Sequence, residues 1–324
     1  MDYAGLFPPA GLPMADAVAE YRAALAGPSA WMLGRFVVPA ARLEELARAL
    51  EAGPGAVGVA ASTAAATAGA GPAGATRWGI SAIVRDGAAD DLAAVTAFNA
   101  ASARLGARVD SVESKPASLE GVDRLASSCA GLGEVYVEIA PGPEADAWLA
   151  RVAARGLRAK VRTGGVTAEA FPSPAALAAF LAAAVRHGVA FKATAGLHHA
   201  VRGAYRLTYE PGAASAPMYG YLNVLLATAA LRAGAPVETA AAVLQQSEAG
   251  DLAFDDAAVR WGGQTYAAAD LAALRARGLV SFGSCSFREP AGEFAALAGR
   301  RHADDERAAS QGGTRNAAPS TSTT

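Results

Sequence analysis

The chain has 324 residues, 52% hydrophobic and 18% charged, with a formal net charge of -2 at pH 7. That length suits one large domain or two small ones, and the apolar share is ample for a core. A near-neutral balance without a basic block argues against nucleic acid as a partner and gives no general steering of anions. A small molecule is therefore the expected partner. The two cysteines, Cys129 and Cys285, lie far apart and imply no disulfide framework. No charged leader followed by an apolar stretch opens the chain, and its apolar runs are interrupted by charge, Gly or Pro. A cytoplasmic protein without membrane contact, able to form a homo-oligomer, is the expectation.

Met1 to Gly11 opens on what reads as the end of a strand. Pro13 to Leu25 is a helix with proline at its start. Trp31 to Val38 reads as a strand closed by Pro39, and Ala40 to Leu50 as a helix. Residues 51–77 are ambiguous: 56–60 has strand character, and the Ala/Gly/Thr-rich run after it is a weak helix or an insertion. Strands are expected at 78–84, 109–113, 134–139, 158–163, 189–194 and 279–283. Helices are expected at 90–104 (capped by Asp86 or Asp90), 118–128, 144–155 and 174–186. After His199 come a loop or short hairpin (201–217), helices at 219–232 and 237–246, a polar stretch around Asp255 and Trp261, and helices at 267–277 and from Ala291. From Arg300 the chain is charged, then Ser/Thr/Ala/Gly-rich, and is expected to be a disordered tail on a single domain of residues 1–299.

Strands alternate with helices at the pace of βα units, with an eighth strand supplied by 56–60 or by the first few residues. Eight such units predict an α/β fold, a (β/α)8 TIM barrel with extra helices between the last two strands. A doubly wound open sheet is the runner-up. In a barrel, chemistry sits at the C-terminal strand ends.

Basic residues inside apolar strands single out that end. Lys160 and Arg162 alternate onto one face of their strand, and Lys192 and Thr194 do so on the next. An unpaired buried ammonium costs several kcal/mol or loses its proton. Glu113, with Lys115 beyond it, and Glu138 come from two preceding strands, and a shared barrel mouth would bring these charges together. A lysine of lowered pKa is the nucleophile that a carbonyl substrate needs for a Schiff base. Lys160, Lys192, Glu113 and Glu138 are thus the candidate catalytic set; the bland alternative is an ion-pair network that holds the barrel together. Thr163, Gly164 and Gly165, Gly196, and Gly283 and Ser284 end three strands where exposed backbone N–H groups can hold an anion, with Arg162 or Arg202 in support. His198 and His199 are candidate substrate contacts; as neighbours on extended chain they face opposite ways and make a poor metal pair. Asp2 and Arg35 are further candidates for the mouth. No zinc-type spacing is present, and no metal or cofactor is assigned.

The run Lys160-Val161-Arg162-Thr163-Gly164 resembles the K-x-x-T-G run of the deoxyribose-phosphate aldolase family, Schiff-base aldolases of class I. Lys192-Ala193-Thr194-Ala195-Gly196 is similar to that family's K-A-S-G-G run, and Gly283-Ser284-Cys285 to its G-T-S phosphate turn. The resemblance implies Lys160 as the imine-forming residue and reversible aldol chemistry on a small aldehyde, phosphorylated or otherwise anionic. It covers 157–199 and 279–286. Departures are Ala195 for a glycine, Arg162 for a small residue, a longer segment before the last strand, and a strand-four carboxylate that is either Asp110 or Glu113. Three functions are therefore weighed: a lysine-dependent lyase; a metal-assisted isomerase or lyase using Glu113, Glu138 and a histidine; and a non-catalytic anion- or sugar-binding barrel.

Overall fold

The structure, a computed structural model, describes residues 1–53 and 78–298. The possible strand at 56–60, the Ala/Gly/Thr-rich run and the tail from 300 lie outside the described residues. Eight parallel strands close a barrel: β1 (Asp2–Tyr3), β2 (Phe36–Pro39), β3 (Trp78–Ile83), β4 (Ala107–Ser114), β5 (Glu134–Ile139), β6 (Arg158–Arg162), β7 (Phe191–Thr194) and β13 (Leu279–Ser284). They follow one another around the wall in that order, and β13 returns to β1. The fold is the expected (β/α)8 barrel, and its first strand lies at the chain's beginning.

Strand alternation builds both sides of the wall. Outward residues such as Val38, Ile80, Val112, Val137, Val161 and Phe191 are buried against a ring of helices. That ring includes α1 (Met14–Leu25), α2 (Leu43–Glu51), α3 (Ala89–Ala100), α5 (Leu119–Ser128), α6 (Ala145–Ala154) and α7 (Pro174–Arg186). α7 shows the local logic. The Ser173 hydroxyl accepts from the Ala176 N–H, Pro174 occupies the first turn, and Leu177, Phe180 and Leu181 turn inward. Phe180 meets Phe191 edge-on at 6.0 Å. Each such side chain stabilises the fold by roughly 1.5–3 kcal/mol. With the turn before it, α7 forms a stretch long and apolar enough to cross a membrane, and here its apolar face covers the barrel.

A two-residue first strand closes the barrel because its neighbours grip it. The Tyr3 N–H donates to the Arg35 carbonyl and the Ala4 N–H to the Ser284 carbonyl, both at 2.8 Å. Tyr3, Tyr21, Phe36 and Trp78 form one aromatic cluster outside β1–β3, with centroids 4.4 to 6.2 Å apart.

Between β7 and β13 the chain leaves the barrel rhythm. It forms a hairpin, β8 (Gly203–Arg206) with β9 (Ser215–Met218), then α8 (Tyr221–Arg232) and α9 (Val237–Gln245). The polar stretch after them is a small antiparallel sheet of β10 (Ala253–Phe254), β11 (Ala258–Trp261) and β12 (Gln264–Ala267), which leads into α10 (Ala268–Arg277). The expected helix at 90–104 is broken into α3 and α4 (Ser102–Leu105), and neither Asp86 nor Asp90 caps it. Asp86 instead accepts from the Ala117 N–H.

Candidate active site

Alternation on four strands sends Glu113, Glu138, Lys160 and Lys192 into the barrel interior. Register sets them side by side: Glu138 pairs across from Lys160, and Lys160 from Lys192. Glu113 is the hub. Its Oε2 lies 2.9 Å from the Lys160 ammonium, and its Oε1 accepts from Lys192 at 2.5 Å and from the Ser81 hydroxyl at 2.7 Å. Lys160 also reaches Glu138 Oε2 at 2.9 Å. Lys192 reaches Asp2 Oδ2 at 3.2 Å and lies 4.3 Å from the centre of the Tyr136 ring. Gly34 makes room for Asp2, since a Cβ there would fall 2.6 Å from Oδ1.

Three carboxylates therefore hold two ammoniums, which leaves one negative charge in excess before the rim is counted. Burial alone opposes charge on every member. At Glu113 the two lysines outweigh it and hold the carboxyl far below its usual range. At Lys160 the opposing carboxylates, Glu113 and Glu138, likewise overcome burial and raise the ammonium's pKa; at Lys192, Glu113 and Asp2 do so. The resting lysines are thus charged, against the expectation of a lysine of lowered pKa.

Depth separates the two amines. Lys192 is fully buried, so it positions Glu113 rather than touching a substrate. Lys160 is 6% exposed, and Glu138 beside it is more open, with the exposed Lys115 ammonium 3.9 Å from its other oxygen. These two face the C-terminal mouth. The opposite end is plugged: Arg35 bonds Asp110 at 2.7 Å and Glu134 at 2.8 Å, Arg158 bonds Glu134 at 2.8 Å, and the Tyr136 hydroxyl donates to Glu134. Asp110 and Arg35 are thus placed away from the mouth, and Glu113 is the strand-four carboxylate that meets the lysines.

The rim residues divide. Arg162 is exposed at the end of β6 and pairs with none of the described carboxylates. The Thr163 hydroxyl donates to the Ala195 carbonyl at 2.7 Å, tying the β6 and β7 turns together. The glycines of those turns have a packing role. A Cβ on Gly196 would fall 2.8 Å from the Phe171 ring and 3.2 Å from Gly164, so Phe171 packs over the place where an open anion seat was expected. Gly165 is similarly close to Ala170. Ala195 has φ of +66°, the left-handed region that glycine takes more easily, so a non-glycine residue here carries backbone strain. Gly283 faces Thr194.

His198 and His199 diverge as alternation requires. His199 stacks on Tyr205 at 3.4 Å and bonds Glu293, and Arg202 lies over the Tyr219 ring. His198 is buried beside the end of β13. Its Nδ1 lies 3.3 Å from Ser284 Oγ, 3.4 Å from Glu289 Oε2 and 3.8 Å from Cys285 Sγ. Among the described residues no group of His, Cys, Asp and Glu is arranged to hold a metal ion. Glu113 has both oxygens on lysine, and each histidine has its own carboxylate elsewhere, which separates the ligands that a metal-assisted mechanism was expected to share.

Sequence reasoning named Asp2 as a candidate for the mouth without its lysine partner and missed Ser81 altogether. A two-residue strand offers no pattern to read. Comparison with protein-family models, curated proteins and solved structures finds no match for this chain.

Proposed function

We propose that this chain is a lysine-dependent carbon–carbon lyase acting on a small carbonyl compound, with Lys160 as the imine-forming residue. The observation that carries the reading is Lys160, held between Glu113 and Glu138 and 6% exposed where Lys192 is fully enclosed. A network that only held the barrel together would have no need to leave one amine–carboxylate pair facing the mouth.

The chemistry follows from the clasp. Lys160 gives a proton to Glu138, 2.9 Å away, and the free amine attacks the carbonyl carbon. The resulting carbinolamine loses its hydroxyl as water, with the proton returned by Glu138. The iminium then occupies the place of the ammonium, so Glu113 stabilises the cation before and after the step. Cleavage of the adjacent carbon–carbon bond sends its electron pair into the iminium to give an enamine, while Glu138, again a carboxylate, takes the proton of the β-hydroxyl, which becomes the carbonyl of the released aldehyde. Protonation and hydrolysis of the enamine free the second carbonyl product and Lys160. Arg162 and Lys115 supply positive charge at the rim for a phosphate or carboxylate on the substrate.

Enamine formation has a signature that needs no knowledge of the substrate. With propanal, acetone or dihydroxyacetone phosphate in D2O and excess EDTA, proton NMR should show enzyme-dependent exchange of the α-hydrogens. The rate should stay level from neutral towards moderately alkaline pH, because Lys160 passes its proton to Glu138 within the site and its pKa is raised. Exchange abolished by EDTA would favour the metal-assisted alternative, and no exchange with any donor would favour the binding barrel.

A further inference from the structure

A second cluster lies outside the lysine network. Cys285 follows the last barrel strand and is 4% exposed. Its Sγ lies 3.8 Å from His198 Nδ1 and 4.0 Å from Nε2, and 3.8 Å from the Tyr209 hydroxyl. That hydroxyl donates to Glu289 at 3.0 Å, and the same carboxylate oxygen faces His198 at 3.4 Å. Four segments converge here: the turn after β7, the tip of the β8–β9 hairpin, the end of β13, and the helix over residues 288–298. None of these residues is needed to complete the lysine site.

The cluster sets a thiol against a cation. Burial opposes charge on His198, but the Cys285 thiol and Glu289 outweigh it and push the imidazole pKa up to about 9. His198 therefore stands within reach of the sulfur as a group that can hold and return a proton. The other cysteine is an internal control: Cys129 is buried with no such partner among the described residues, and burial pushes its thiol up to about 11.

We propose that Cys285 is a reversible oxidation site whose substrate is a small hydroperoxide and whose proton donor is His198. In the reactive step the thiol gives its proton to His198, whose Nδ1 lies 3.8 Å from Sγ. The thiolate attacks the terminal peroxide oxygen, the O–O bond breaks, and a sulfenic acid forms on Cys285. The departing alkoxide or hydroxide takes the proton from His198 and leaves as an alcohol or water. Sulfur is oxidised by two electrons and the peroxide reduced by two, and an external thiol returns Cys285 to its starting state. Tyr209 lies against the sulfur and is itself 47% exposed.

The full chain should be treated with hydrogen peroxide in the presence of dimedone and the adducts mapped by mass spectrometry. Cys285 should label at least about tenfold faster than Cys129 in the native protein. His198→Gln should slow Cys285 labelling about tenfold. Tyr209→Ala, a change at an exposed side chain, should accelerate it. Lys160→Met should label as the wild type does, which keeps this test independent of the lyase reading. No adduct on Cys285, or equal rates in the wild type and both cluster variants, would overturn the proposal.

Discussion

Replacing Glu113 with alanine should destabilise the protein by about 3–5 kcal/mol, the usual effect of removing one partner from a buried ion pair. Glu113 is 2% exposed, and both of its oxygens are committed. Without it Lys192 keeps only Asp2, Ser81 and the face of Tyr136, deep in the wall, while Lys160 keeps Glu138. The measurement is the urea midpoint at constant slope. A double change, Glu113→Leu with Lys192→Met, should recover part of the loss, since Lys192 is then no longer buried without Glu113, while Asp2 gives up its lysine. A loss below about 1 kcal/mol in the alanine variant would mean that water reaches the network.

The same network fixes a pH window with a definite sign. Glu113 has a folded pKa below its unfolded value of about 4.3, so its contribution is present above that value and fades as pH falls towards the folded pKa. Lys160 and Lys192 have folded pKa values above about 10.4. Their contribution is complete below that value and is lost as pH rises through the folded pKa. The network's own contribution should therefore be level between these limits, and Glu113→Ala should weaken the acid-side dependence, part of which Asp2 keeps.

Lys160→Met should reduce α-hydrogen exchange by on the order of a thousandfold or more, as loss of a covalent nucleophile does, while the barrel still folds. Met keeps the chain length and lets the mouth repack. Lys192→Met should act differently. It leaves Asp2 without its lysine and Glu113 with Lys160 and Ser81 alone, so stability falls before exchange does. Equal exchange in the wild type and Lys160→Met would remove that lysine from the chemistry.

The barrel was legible because β and α periods alternate along the chain, and the two lysines were legible because period-two alternation put them on one face. The choice between Asp110 and Glu113 was not. In β4 the register jumps from Val109 opposite Ile80 to Ser111 opposite Ser81, so Asp110 is the extra residue. Such a bulge reverses the facing of everything before it and leaves no mark in composition. The glycine turns misled for another reason. Glycine permits close approach by a ligand or by a side chain, and here Phe171 takes the space at Gly164 and Gly196. The small β10–β12 sheet was hidden among Ala, Gly and short polar residues that favour neither period.

The central claim is that Lys160 forms an imine at the barrel mouth. Sodium borohydride added during turnover of propanal or acetone should fix the carbonyl compound on the chain as a stable secondary amine. Peptide mapping should place that adduct on Lys160, with none on the enclosed Lys192 and none on Lys115. Reduction that leaves Lys160 unmodified while exchange proceeds would contradict the account.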